Sequence, residues 1–363
     1  MVANLTTRLG QLTSSPAGGP YTGANKIING DMVIDQRNAG ASVTLTNTSG
    51  FATDRFSNGS SGLTTQTFAC QQVTSTLADS IKSLKGTIGG TGAAPAAAAY
   101  VYLSQKIEGL NCTDLLWGTA SAKTITVSFR AKYSVTGTYG IAFRNSSGDR
   151  SYIASFALTA NTDTLVTATI PGDTTGTWLT TNGVGLMFSL DLGVGTTYSA
   201  TAGSWQAGNF LGFTGGTKLC ATTGATAEIT NVKVEVGSIA TPFVPDDYEV
   251  SFAKCQRYYQ YLNSSTGAYS IIGVVGQTNN IFTVWFPVVM RTSPTAAFGN
   301  STSPLYYIST IGGTQTSANP TSATMHFQTT GGRFYTALYG GSGTACWFDL
   351  GGGDALMTFS AEL

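Results

Sequence analysis

Nucleophilic catalysis by a Ser-His-Asp or Cys-His arrangement needs an imidazole beside the nucleophile and a third group to hold it. The sequence has one histidine, His326, in the alternating run ATMHFQ, which places it on a strand facing either solvent or core. The same count excludes zinc and iron centres built on several His or Cys ligands. Five cysteines, Cys70, Cys112, Cys220, Cys255 and Cys346, are scattered with no C-x-x-C pair, a pattern of buried free thiols and not of a disulfide framework. Calcium would have Asp31 or Asp35 and main-chain carbonyls to use, but the acids do not cluster in one loop, so neither a metal nor a cofactor is expected. A glycosidase needs only two carboxylates. Of the 18 acidic residues, however, Asp246 and Asp247 are explained by helix capping, and Asp54, Asp149, Asp173 and Asp349 by turns and strand ends. The glycine clusters KGTIGGTG and YGGSGTAC match neither a phosphate-binding loop nor a dinucleotide turn. No catalytic residue is nominated, and the chain is expected not to be an enzyme.

Aromatic side chains, 11% of the sequence, are the better lead. Trp178 in GDTTGTWLTTNG, Tyr198 in GTTYSATAG, and Trp205 and Asn209 in GSWQAGNFLG lie in Gly/Thr/Ser-rich contexts. A pyranose offers an apolar face to stack on a ring and hydroxyls for neighbouring amides. These four are therefore the candidate carbohydrate-binding residues; the alternative is that the rings plug the ends of a β-sandwich.

The elements that must position them follow from composition and periodicity. With 42% apolar residues the chain can bury a core, while only 10% is charged, against about 25% in an average globular protein. Eighteen basic and 18 acidic residues give zero net charge, which removes the electrostatic basis for binding nucleic acid or an anionic membrane. No continuous apolar stretch is long enough to span a bilayer, and MVANLTTRLGQLTSS lacks the basic and apolar regions of a secretory signal. In KTITVSFRAKY, Ile125, Val127, Phe129, Ala131 and Tyr133 share one face of a strand. The same holds for Leu186, Phe188, Leu190 and Leu192 in GLMFSLDL, and for Val232, Val234 and Val236 against Lys233 and Glu235 in ITNVKVEV. Such strands, separated by turns and without crossover helices, predict an all-β fold of antiparallel sheets packed as a sandwich.

Four regions emerge. Residues 1–24 form a polar arm, 25–245 the main sandwich, 246–262 a helix, and 263–363 a second, smaller β-sandwich with seven short strands. The helix has a capping box from Asp246 and Glu249. Along it Tyr248, Phe252, Cys255, Tyr259 and Leu262 recur at steps of 4, 3, 4 and 3, the seam spacing of a coiled coil. That seam either caps its own sandwich or joins two or three copies of the chain.

Residues 25–58 read NKIINGDMVIDQRNAGASVTLTNTSGFATDRFSN. The opening Asn-x-Ile-Ile-Asn-Gly-Asp-Met-x-Ile-x-Gln-Arg, followed by a Thr-Asp-Arg-aromatic turn, resembles a group of bacteriophage tail-fibre and virion-fibre proteins. Further matches in order are LNCTDLLWGTASAKTITVSFRAK, FRNSSGDRSY, TIPGDTTGTW, YSATAGSWQAGNFLG and VKVEVGSIATPFVPDDYEVSFAKCQRYYQ. The resemblance covers about residues 25–262. It implies a galactose-binding-type jelly roll, as in carbohydrate-binding modules, with adhesion and no catalysis, and trimers on the particle. After Asn263 only generic features such as FPVVMRTSPT and FSAEL remain.

The expectation is thus a homotrimeric tail fibre or receptor-binding protein of a bacteriophage virion, assembled in the bacterial cytoplasm. Residues 1–24 would dock to other virion proteins, 246–262 would be the trimer junction and 263–363 the distal domain. A host-surface glycan would be held by many weak contacts multiplied by avidity. A head fibre or capsid decoration protein, and a polysaccharide depolymerase, are the alternatives.

Overall fold

The computed structural model describes residues 25–263, 269–275, 279–299, 306–310, 316–318, 324–337, 345–350 and 356–363; the expected arm 1–24 lies outside them. The chain divides into two compact units, Met1–Ser251 with Leu363, and Phe252–Glu362. The first is a jelly-roll sandwich of two large sheets. One runs, in spatial order, Val43–Thr44, Gln66–Thr74, Lys82–Gly90, Thr226–Val236, Ile125–Tyr133, Thr164–Ile170. The other runs Trp205–Ala207, Arg150–Leu158, Gly137–Arg144, Val184–Val194, Tyr100–Glu108, Phe56–Ser61, Ser49–Thr53. All pairings within both sheets are antiparallel.

The alternation read from the sequence is what closes this sandwich. Ile125, Val127, Phe129, Ala131 and Tyr133 of the first sheet, and Leu186, Phe188, Leu190 and Leu192 of the second, are fully buried in one core. Rings interlock across the two layers: Phe129 meets Phe156 edge-on at 5.5 Å, and Tyr133 meets Tyr139 at 4.8 Å. Such pairs add about 0.5–1.5 kcal/mol each beyond the area they bury. Cys70, Cys112, Cys220 and Cys255 are buried free thiols.

One expected wet face is dry. Lys233 and Glu235, opposite Val232 and Val234, are buried and paired at 3.1 Å. The chain doubles back over them, so that the Thr241 N–H and hydroxyl donate to the Glu235 carboxylate, both at 2.7 Å. The opening motif works similarly as a clasp. Asn25 Oδ1 accepts from the Val234 N–H at 2.9 Å, and its amide donates to the Val232 carbonyl at 2.9 Å. Asn29 bonds both ways with the Ile34 main chain, and the buried Asp54 accepts from the Gln36 N–H at 2.6 Å and side-chain amide at 2.8 Å. A Cβ at Gly30 would stand 2.2 Å from the Val232 carbonyl oxygen, so only glycine lets the two chains approach.

The helix is shorter than the expected 246–262. It spans Tyr248–Gln256, with the Asp247 carbonyl taking the bond from the Ser251 N–H, which makes Asp247 and not Asp246 its flanking residue. The last turn tightens through a bond from the Tyr258 N–H to the Cys255 carbonyl. Tyr259 and Leu262 then lie on the strand Tyr259–Asn263, paired in register with Leu356–Ser360. A short helix is marginal by itself, and the aromatic-rich YYQYL gains more from a β-ladder. The five-residue seam therefore does not form one helical stripe: Tyr248 is exposed, Phe252 is half-buried, and Cys255 and Tyr259 are buried.

The second unit holds a three-stranded sheet, Tyr259–Asn263, Leu356–Ser360, Thr295–Gly299, and a seven-stranded one, Thr316–Ala318, Tyr306–Thr310, Ala345–Leu350, Tyr269–Val275, Asn279–Trp285, Gly331–Ala337, Thr324–Gln328. Phe282 stacks on Phe334 at 5.1 Å, and Phe359 packs edge-on against Phe286 and Phe327, so its core joins both sheets. Three of its strands, Tyr259–Asn263, Thr295–Gly299 and Thr316–Ala318, go beyond the seven expected. His326 is exposed on its strand, edge-on to Tyr335 at 5.6 Å.

Candidate functional site

The four candidate binding residues separate into two places on the first unit. Trp178 and Trp205 come together with Trp117 and Tyr152. Trp117 meets Trp178 at 4.8 Å and Trp205 at 5.2 Å, Trp178 meets Trp205 at 5.3 Å, and Tyr152 meets Trp205 at 5.3 Å, all edge-on. The three indole N–H groups donate to main-chain carbonyls, Trp117 to Lys123 at 2.7 Å, Trp178 to Thr175 at 3.0 Å and Trp205 to Pro171 at 2.8 Å. Arg150 anchors the adjoining loop by gripping Asp173 through Nε at 2.7 Å and Nη2 at 2.9 Å. Burial works to raise the Asp173 pKa, yet the Arg150 and Thr175 hydrogen bonds hold it below the ordinary value. This cluster has its rings against one another and its donors used internally.

Tyr198 and Asn209 belong to a different surface. On the Tyr100–Glu108 strand Val101, Leu103 and Ile107 enter the core, so Tyr100, Tyr102, Ser104 and Lys106 take the outer face. Register sets Gly59 beside Tyr102, Ser189 beside Ser104, Met187 beside Lys106, and Arg144 beside Met187. The chain after Val194 returns over part of this face, where Ala200 with the partly buried Phe210 and Phe213 packs on Ala142 and Ile153. That return brings Tyr198 edge-on to Tyr100 at 5.6 Å, while Tyr100 stacks on Tyr102 at 5.5 Å with 26° between the planes. A Cβ at Gly59 would lie 2.8 Å from Tyr102 Cζ, so the bare backbone there lets the Tyr102 ring lie down against the neighbouring strand. The outcome is a row of three half-buried tyrosines.

Arg144 supplies charge beside the row. It is 8% exposed, its Nη1 donates to Asn209 Oδ1, its Nη2 points at Met187 Sδ, and its Nε has no hydrogen-bond partner. Burial pushes its pKa down, and the nearby Tyr102 and Tyr100 phenols oppose that. Burial also raises the Tyr102 phenol. Ser189, in the same face, is buried with its hydroxyl unpartnered. Tyr100, Tyr102 and Arg144 were not nominated from sequence. Their signal was the strand YVYLSQKIE itself, whose non-core positions read Tyr, Tyr, Ser, Lys, and FRNSSGDRSY, in which an arginine ends a strand.

Asp191 lies on this face too, but beneath the returning chain. It is fully buried, and a Cβ at Gly212 would sit 2.1 Å from its Oδ2. Burial raises its pKa to about 7, against the pull of the Lys218 ammonium at 3.7 Å. No group of three or more His, Cys, Asp or Glu that could hold a metal is found among the described residues.

No protein-family model matches the chain, and no curated protein does. Among solved structures, the chain is similar to the enzymatically active domain of tailspike protein 4 of bacteriophage CBA120, at 13% identity and a TM-score of 0.29, over 62% of this chain and 23% of that one. It is similar to a family 4 carbohydrate-binding module at 15% identity and a TM-score of 0.30, over 58% of this chain and 98% of the module. The family 11 carbohydrate-binding module of Lic26A-Cel5E from Clostridium thermocellum is matched at 12% identity and a TM-score of 0.26, over 58% of this chain and 96% of the module. The chain thus spans nearly the whole of both modules and about a quarter of the tailspike chain.

Proposed function

We propose that the chain is a non-catalytic glycan-binding protein of a virion fibre, working as a homotrimer. The observation that carries the glycan reading is the row Tyr198, Tyr100 and Tyr102 beside Arg144 and Asn209. It offers flat apolar area for a sugar ring, and polar groups at its border for the hydroxyls. Binding would leave the glycan intact. Asp191, whose raised pKa would suit a glycosidic general acid, lies under Gly212 out of a ligand's reach, and a glycosidase needs two presented carboxyls.

The virion setting is supported by the order of motifs between residues 25 and 262. For the trimer, exposed apolar side chains gather between residues 239 and 250: Ile239, Val244, Tyr248 and Val250. Such surface is what an association interface buries. Tail fibre, head fibre and capsid decoration share all of these features, and labelling the protein on intact particles separates them.

The test is a microarray of bacterial surface glycans probed with the intact labelled protein, followed by a reducing-end assay on each glycan bound. Binding with no new reducing ends is expected. Release of reducing ends contradicts the non-catalytic role, and a blank array contradicts glycan binding. Mass measurement in solution at micromolar concentration is expected to give three copies; a stable monomer sinks the trimer.

A further inference from the structure

We infer that the tyrosine surface selects a sugar carrying a carboxylate, which the Nε–Nη2 edge of Arg144 receives in a two-pronged grip. This presupposes glycan binding at the surface and adds the class of ligand. Arg144 is nine-tenths buried and has no ion pair among the described residues. Its charge is permanent, because a guanidinium is not deprotonated in proteins. A buried charge without a counter-charge is costly, and it persists where something supplied from outside completes it.

The same molecule shows what this edge of a guanidinium takes. Arg150 turns its Nε and Nη2 to the two oxygens of Asp173 at 2.7 and 2.9 Å. In Arg144 those two positions hold nothing and a thioether, respectively. Thioether sulfur is a weak acceptor on a flexible, unbranched chain, so Met187 is a plug that a carboxylate displaces. Asn209 meanwhile occupies Nη1 and fixes the plane of the fork. Arg144 stands beside Met187 in register, and Met187 beside Lys106 on the strand that carries Tyr100 and Tyr102, so a sugar ring on the tyrosines would bring an exocyclic carboxylate toward the edge. A neutral sugar would leave the guanidinium uncompensated.

The experiment compares each of three acidic glycans (oligogalacturonate, hyaluronan oligomers and sialyllactose) with its methyl ester, which keeps the sugar and masks the charge. Binding to the intact protein is measured by calorimetry at low and moderate salt. At least one free acid is expected to bind about tenfold or more tightly than its ester. Arg144→Gln is expected to erase the preference, and Arg144→Lys, which keeps the charge but loses the fork, to leave only a part of it. Melting curves show that each variant is folded. If Arg144→Gln fails to fold, Arg144→Lys and the acid/ester ratio on the wild type still decide. Equal binding of acid and ester, or binding only to neutral or phosphate-bearing glycans, overturns the carboxylate assignment and leaves glycan binding standing. Binding to no glycan on the array overturns both.

Discussion

Replacing Asp191 with asparagine should stabilise the protein at mildly alkaline pH and change it little in acid. The Asp191 carboxyl is fully buried; its Oδ1 accepts from the Gly193 N–H at 2.8 Å, while Oδ2 has no hydrogen bond and only the Lys218 ammonium at 3.7 Å. Burial raises its pKa from 3.8 to about 7. Between those values the folded protein holds a proton that the unfolded chain has released, so stability falls as pH rises from about 4 through about 7 and is level above. Roughly three pH units at about 1.4 kcal/mol each set an upper bound of about 4 kcal/mol on the loss. Asparagine cannot ionise, so Asp191→Asn removes this slope and leaves the Lys218 ammonium beside a neutral side chain, as it already stands in the wild type near pH 4. Each kcal/mol moves the melting temperature of a unit this size by about 2–4 °C, so the variant should melt up to about 8–15 °C above wild type near pH 8. In acid, near pH 4, the two should agree within a few degrees. Asp173 and Glu228, whose hydrogen bonds hold them below their ordinary values despite burial, favour the opposite trend. They are the same in both proteins and cancel in the difference. The assay is differential scanning calorimetry of both proteins across that range. A difference independent of pH, or a variant that melts lower near pH 8, would refute the reasoning.

Other expectations are as specific. Gly59→Ala places a Cβ 2.8 Å from the far end of the Tyr102 ring; it should lift that ring, weakening glycan binding severalfold while moving the melting temperature little, which calorimetry and melting curves on one sample check. Gly30→Ala drives its Cβ against the Val232 carbonyl, which as main chain cannot swing aside. It should cost about 2 kcal/mol or more, read by urea denaturation. Asp173→Ala leaves Arg150 without its partner and should cost about 2–3 kcal/mol, below the 3–5 of a wholly buried pair because Arg150 is 21% exposed. The wild-type contribution of that pair should fade as pH falls through the carboxylate range, and glycan binding at the tyrosine row should survive the substitution. Urea titrations at two pH values test the first statement, and calorimetry with the bound glycan tests the second.

The strands were legible wherever one face is apolar and the other polar, as in Ile125–Tyr133, because a period of two admits no other buried element. Lys233 and Glu235 misled because burial of a charged pair depends on the chain that returns over it, which local alternation does not record. Tyr259 and Leu262 fitted a helical seam by spacing alone, but a ladder with Leu356–Ser360, about a hundred residues away in sequence, outweighed that weak preference. Of the binding candidates, Tyr198 and Asn209 lie at the tyrosine surface, while Trp178 and Trp205 share a cluster whose indole donors are spent internally. Exposed-looking Gly/Thr/Ser contexts did not distinguish the two. Tyr100, Tyr102 and Arg144 sat on strands that looked wholly structural, and only register across three strands gathers them.

Calorimetry on the tightest glycan from the array, with wild type, Tyr102→Ala and Trp178→Phe side by side, tests glycan binding at the tyrosine row most directly. Losing a stacked ring costs about 1–2 kcal/mol, so Tyr102→Ala should weaken binding about tenfold while Trp178→Phe binds as wild type does. Unchanged affinity in Tyr102→Ala, with the loss falling on Trp178→Phe, would contradict it.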